Sequence, residues 1–241
     1  MGYEKRFAGL LFGFAGGYTR AKVDVDDLAA DFDADVMNLA LYSAYLHESG
    51  IFARAGLGFS YAWNDYDVAM ALGPNKGASY KSHAYTANLD LGYVYNTYFV
   101  NVIPSVGLYY THNRQEGFQE YGGELGSRGF FGKTHANMVD IPVQVRLNKV
   151  FDVGGVQIAP EVRMAWIYAA KKNNSTIDYG LAGSSQTYGV QGVNPGRNRA
   201  RIGGGLKTQW CGKYEAGVDY DYEWRSKYKD HRLTATFAVS F

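Results

Sequence analysis

Apolar and polar side chains alternate residue by residue over long stretches of this chain. That is the period of a strand with one apolar face. Ile51, Ala53, Ala55, Leu57, Phe59, Tyr61 and Trp63 share one side of such a stretch, and Arg54, Gly56, Gly58, Ser60 and Asn64 share the other. The pattern returns with Tyr85, Ala87, Leu89, Leu91 and Tyr93, with Val139 to Leu147, with Val156 to Tyr168 and with Tyr214 to Trp224. Ten segments follow it, at about 7–20, 36–47, 51–66, 82–95, 98–112, 136–148, 155–170, 198–210, 213–226 and 230–241. Several exceed the usual strand of about 5–6 residues. Each covers the roughly 9–11 residues a tilted strand needs to cross a bilayer. The opening run Phe7–Ala15 imitates a signal peptide, but Glu4 spoils its charged region. Leu10, Phe12 and Phe14 also alternate with Gly9, Gly13 and Gly17, so it reads as a strand.

The connections alternate in length. Short ones fall at His47–Gly50, around Asn96, at Lys149–Gly154 and at Cys211–Gly212; long ones fall at Ala21–Asp35, Asp67–Lys81, Asn113–His135 and Lys171–Arg197, with the short Ser226–Lys229 as the exception. Antiparallel neighbours put alternate connections at opposite ends, so one end carries tight turns and the other carries loops. Outer-membrane barrels are laid out this way. Aromatic residues collect near strand ends, at Tyr61, Trp63, Tyr93, Tyr95, Trp166, Tyr168, Trp210, Tyr214, Tyr222 and Trp224, as two interfacial girdles would require. Periodicity alone does not say which face is inside. A soluble sandwich or lipocalin-like barrel would turn the apolar face inward. Strand length, loop asymmetry and aromatic ends favour the opposite, an all-β antiparallel transmembrane barrel with lipid against its apolar face.

Composition removes other classes. The 241 residues include 24 Lys+Arg and 23 Asp+Glu, a net charge of +1, which argues against a basic nucleic-acid binder. A hydrophobic content of 46% excludes disorder. The longest weakly polar run, Phe7–Gly17, is too short for a membrane-spanning helix of about 20 residues. One cysteine, Cys211, makes neither a disulfide framework nor a usual zinc site, and no residue set calls for a cofactor.

The chain ends on Leu233, Ala235, Phe237, Val239 and Phe241, alternating with polar or small residues. This resembles the C-terminal signal read by the outer-membrane assembly machinery. Three further stretches resemble the autotransporter β-domain. They are Gly155–Trp166 with its Pro160-Glu161 and later Trp, Tyr220–Trp224 followed by His231, and Pro104 followed by Gly107 and Tyr109-Tyr110. Tyr18, Arg20, Val23 and Asp24 resemble the end of that family's early Gly-rich strand. The resemblance spans essentially the whole chain. It implies an outer-membrane barrel of twelve strands that exports or anchors an N-terminal passenger. It also implies partners: outer-membrane lipid, the barrel assembly machinery with periplasmic chaperones, and the passenger in cis. On this reading residues 1–241 form a single barrel domain lacking its first two strands. The alternative is a stand-alone small barrel acting as a pore or adhesin through its loops.

The polar faces hold the candidate lumen charges Arg54, Asp90, Asp140, Arg146, Glu161, Arg163, Arg199, Arg201, Lys207, Glu215, Asp219, Asp221 and Glu223. Antiparallel pairing is expected to set the basic strand 198–210 against the acidic strand 213–226 as cross-strand ion pairs. They suit a hydrated conduit. Catalysis of the omptin type would need a carboxylate and a histidine at the outer rim, where His83, His112, His135, His231, Asp65, Asp67 and Asp230 fall. Their spacing matches no motif, so the chain is read as a non-enzyme. The acidic run Asp24, Asp26, Asp27, Asp31, Asp33 and Asp35 lacks the order of a calcium loop and reads as a solvated first loop.

Overall fold

A computed structural model describes all residues except 26–28, 71–73, 124–127, 172–175, 182–183, 185, 193–195, 227 and 240–241. Eleven strands follow one another in an antiparallel meander: β1 (Gly2–Phe7), β2 (Leu10–Val25), β3 (Ala30–Leu46), β4 (Ile51–Val68), β5 (Lys76–Tyr93), β6 (Asn101–Gln115), β7 (Thr134–Asn148), β8 (Val156–Lys171), β9 (Asn198–Trp210), β10 (Tyr214–Arg225) and β11 (Tyr228–Val239). Each pairs with its sequence neighbours, and the sheet curls into part of a barrel wall. Among the described residues β1 pairs only with β2, and β11 only with β10.

One strand more is present than alternation predicts. The segment 7–20 corresponds to β2, and the added strand is β1 ahead of it, joined to β2 by a tight turn at Ala8-Gly9, both with positive φ. Glu4, Lys5 and Arg6 hide β1 by breaking its polarity pattern. Strands β2 to β5 also run well past their predicted ends, so much of the expected first two loops is ladder: Val25 pairs with Ala30, and Val68 pairs with both Ala30 and Lys76. The acidic run is therefore split between facing strands. Asp33 pairs with Lys22 (3.4 Å) and Asp35 with Arg20 (3.9 Å); Asp26 and Asp27 lie outside the described residues.

The register decides which face is which. Following cross-strand partners from Leu41 to Leu57, Ala87, Tyr110 and Val139, and, past a register shift between Val139 and Asp140, from Val145 to Met164, Ile202 and Tyr222, keeps the apolar residues on one side. That side is bare: Leu57 is 60% exposed, Leu233 73% and Phe237 66%. The charges are on the sheltered side, where Asp90 and Glu223 are buried. A soluble barrel would have the reverse. The outward aromatics form two bands. Tyr61-Trp63, Trp166-Tyr168 and Tyr222-Trp224 ring the end with long loops, and Tyr93-Tyr95 and Trp210-Tyr214 ring the end with tight turns. Tyr214 and Trp224 are ten residues apart on one strand. At about 3.3 Å per residue and a tilt of about 40°, they are separated by about 25 Å along the barrel axis, the height of the apolar band of an outer-membrane barrel. Above the upper band β3, β4 and β5, at 17, 18 and 18 residues, stand clear as a rigid extension.

Substituting Leu57→Arg should cost about 2–4 kcal/mol of folding stability in lipid, because the charge meets the hydrocarbon near mid-depth. Urea titration of the heat-modifiable folded form in phospholipid vesicles measures this. A cost near zero would mean the face does not contact lipid.

Candidate functional site: the charged lumen

Three polar clusters tile the enclosed face from β4 to β10. In the first, Asp90 on β5 receives Tyr109 Oη (2.8 Å) and Gln144 Nε2 (3.4 Å), with Arg54 3.8 Å away. Gly107 makes room for it, since a Cβ there would press on the Asp90 carboxylate and on fully buried Pro142. Pro142 has no N–H to give. The β6–β7 ladder skips Ile141 and Pro142, resuming at Val143 opposite Val106.

The second cluster turns on Arg163 of β8. Its guanidinium donates to Asp219 (2.6 Å), Asp221 (3.2 Å) and Glu161 (3.0 Å), and Glu161 also meets Arg146 at 3.4 Å. Asp219 and Asp221 are two strands away, on β10. The strand between carries Gly203 and Gly205 at the intervening lumen positions, and a Cβ on either would overlap the Asp221 or Asp219 carboxylate. These glycines are therefore a gap through which an ion pair spans β9. The third cluster centres on Glu223, which accepts from Arg201 (2.6 Å) and Arg225 (3.1 Å) and lies 3.5 Å from Arg199. Arg199 also pairs with Asp140 of β7.

The expected direct pairing of β9 with β10 occurs once, at Arg201 and Glu223. Asp219 and Asp221 face glycines instead and are claimed by Arg163. Lys207 lies opposite Gly217, and Glu215 opposite Gln209. The partner roles of Tyr109 and Gln144 were not read from the sequence, whereas Gly203 and Gly205 match the reading that small residues in this strand admit bulky lumen neighbours, here Asp221 and Asp219. A Gly-x-Gly on the polar face of a strand, flanked by an Arg strand and an Asp strand, is the signal that would have found the gap.

Three of the rim histidines have aromatic or amide neighbours, and the His83 ring packs edge-on against Tyr85 at 5.6 Å. His231 shares a hydrogen bond with Tyr220 (2.7 Å) and His112 with Asn137 (2.8 Å). Among the described residues no three His, Cys, Asp or Glu side chains gather in a metal-binding group. Leu233, Ala235, Phe237 and Val239 lie along the outward face of β11, opposite Tyr220, Val218, Ala216 and Tyr214. Phe241 lies outside the described residues.

Outward apolar strands, inward ion pairs and one-sided loops describe an outer-membrane barrel. Which barrel family is decided by comparison: the Autotransporter beta-domain family matches residues 1–221. The chain is an autotransporter β-domain. It is an outer-membrane translocator domain of a bacterium. Solved structures agree on the fold. The translocator domain of NalP from Neisseria meningitidis superposes on all of this chain with a TM-score of 0.79 at 13% identity, over 79% of that domain. The β-domain of the Bordetella autotransporter BrkA superposes with a TM-score of 0.67 at 16% identity, over 87% of that domain. Curated relatives include an extracellular serine protease of Serratia marcescens, 24% identical over 93% of this chain and 21% of that protein. Outer membrane protein B of Rickettsia typhi is 22% identical over 96% of this chain and 15% of that protein. The chain thus spans about a fifth or less of these relatives.

Arg163→Met should destabilise the barrel by about 1.5–3 kcal/mol, since it strips a charged donor from three carboxylates at once. Gly205→Val should do at least as much by driving Asp219 out of Arg163's reach. Both are read as a drop in the urea midpoint of the folded form. An unchanged midpoint in both would remove the gap-spanning pair from the account of stability.

Proposed function

We propose that this β-domain exports or anchors a polypeptide fused to its N-terminal side, with the enclosed face as the conduit wall. The inversion of polarity carries this reading: lipid-facing Leu, Val and aromatic residues outside, and a lining of Arg, Asp and Glu inside that is already neutralised pairwise. A lining whose charges are paired presents hydrogen-bonding groups to a passing chain without holding it by a net field of one sign. The mechanism is conduction, not bond chemistry. The protease activity named for the Serratia relative belongs to a protein about five times longer than the matched part.

Residues 1–241 act as one barrel unit that closes with further strands between β1 and β11. Support comes from the two open edges, since an unpaired backbone group in lipid costs several kcal/mol, and from the additional length of the NalP and BrkA domains. Delivery would depend on the barrel assembly machinery and periplasmic chaperones. The outward row Leu233, Ala235, Phe237 and Val239 on the last strand, together with Phe241 next in the sequence alternation, is what we assign to that recognition, as strand addition with alternate side chains in pockets.

The test is surface display. The complete polypeptide carrying this domain, with an epitope in its N-terminal part, should present that epitope to antibody and protease on intact cells. An epitope that stays periplasmic while the barrel folds normally would overturn the export reading. Phe237→Ser together with removal of Phe241 should lower the amount of folded barrel several-fold without changing the stability of what does fold. Unchanged amounts would remove those two residues from assembly.

A further inference from the structure

Among the described residues, three of the five buried hydrophobic residues besides Pro142 lie outside the membrane-spanning zone. Of the buried hydrophobic residues, Ala30, Tyr66 and Ala78 (3%, 7% and 0% exposed) sit at the outer ends of β3, β4 and β5. Tyr66 meets Phe118 and Glu120 of the long loop between β6 and β7, and that loop is joined by the long loop between β8 and β9. Segments of both loops join in a separate four-stranded sheet, in the order Thr187–Gln191, Thr176–Leu181, Gly129–Phe131, Phe118–Gln119. Gly129 and Gly180 let it close up. A Cβ on the first would strike the Tyr179 ring, and one on the second the Phe130 ring.

The side on which this sheet docks is the informative part. Tyr66 and Tyr80 share the parity of Arg54 and Asp90 on their strands, and Phe32 pairs directly with Tyr66. All three aromatics therefore belong to the enclosed face, above the ion-pair clusters. Phe118 stacks on Tyr80 with centroids 4.5 Å apart, Phe131 stacks on Phe118 at 4.6 Å, and Tyr179 follows at 5.2 Å. The loops thus fold inward and rest on the inner surface of the β3–β5 extension. A polar clasp holds the contact. Glu120 accepts from Tyr66 Oη at 2.7 Å and from the Gly129 backbone N–H at 2.5 Å, and Lys76 Nζ lies 3.7 Å from it. The Glu120 side chain is 11% exposed, so losing its partners would leave a sheltered carboxylate unpaired. Next to it Tyr121-Gly122 pairs with Gly77-Lys76, using the β5 edge left free where β6 stops.

We propose that this loop sheet is a lid over the outer mouth, with Glu120 as its latch and the Tyr80–Phe118–Phe131 stack as its seat. The purpose assigned to it rests on the conduit reading, but closure itself does not, and the test reports closure without any export. Two readouts are made in intact cells on the complete polypeptide, in a Cys211→Ser background. The first bridges Tyr80→Cys and Phe118→Cys with a short reducible bis-thiol reagent. The second follows labelling of Ser60→Cys, on the enclosed face below the lid, by a maleimide on a polymer too large to cross the membrane. The pair should bridge efficiently, and less so when Glu120→Gln is added. Labelling of Ser60→Cys should be slow with native loops. It should rise about tenfold in Glu120→Gln, the population shift expected from losing a charged hydrogen-bond partner, and rise further when 176–191 is replaced by a Gly-Ser linker. Gel mobility before and after heating confirms that each variant is folded. Failure of the pair to bridge in a folded barrel would overturn the docking. Equal labelling rates with native loops and with the linker would overturn the lid.

Discussion

The fold rests on one constraint, that in a lipid environment every backbone N–H and C=O must find its partner within the protein. An antiparallel ladder satisfies it only while register is unbroken, and a slip of one residue would exchange the two faces of a strand. Everything else here follows from holding that register from β1 to β11, with one shift between Val139 and Asp140 where β7 meets β8. It puts Leu, Val and aromatic side chains against hydrocarbon and leaves the other face to charge. It also makes the two outer edges the weak points of the wall, because β1 and β11 each offer one unpaired row. Even the exceptions are managed locally: Pro142 cannot donate, and the ladder skips it on the enclosed face.

Charge on the enclosed face is arranged so that few groups stand alone. The geometry is not the nearest-neighbour pairing that two facing strands would suggest. Arg163 reaches across a whole strand, and only the absence of side chains at Gly203 and Gly205 makes this possible. Glu223 sits among three arginines, one of which is shared with Asp140. Such cross-strand links fasten four strands into one unit, with the bonds running sideways along the wall. The family assignment and this lining agree without either depending on the other.

Much of this was legible in the sequence because period-two alternation reports directly on backbone geometry. The strands from Ile51 onward, the one-sided loops and the two aromatic bands all follow from it. The parts that escaped share a physical cause. Strand β1 was hidden by Glu4, Lys5 and Arg6, and the upper reaches of β2 to β5 by Asp31, Asp33, Asp65 and Asp67. Outside the bilayer neither face needs to be apolar, so a strand there loses its signature while keeping its hydrogen bonds. The loop sheet escaped for a related reason. Its strands are two to six residues long, and their pairing joins residues from different loops, such as Phe130 and Gly180. The lumen clusters were legible as composition but not as connectivity, since contact across β9 depends on side chains that are missing.

The two rims also differ in how rigidly they keep phase. At the inner rim four of the turns are built on one or two left-handed residues: Ala8 and Gly9, Gly50, Gly154 and Gly155, Cys211 and Gly212. A turn of that size counts residues. One inserted there would rotate the following strand by half a period and present its charges to lipid. The long outer connections between β6 and β7 and between β8 and β9 do no such counting and accept added length without shifting the register of either neighbouring strand. Change over generations is therefore channelled to one side. The periplasmic rim works as a fixed clock for the alternation, and the outward rim is where this lineage is free to experiment.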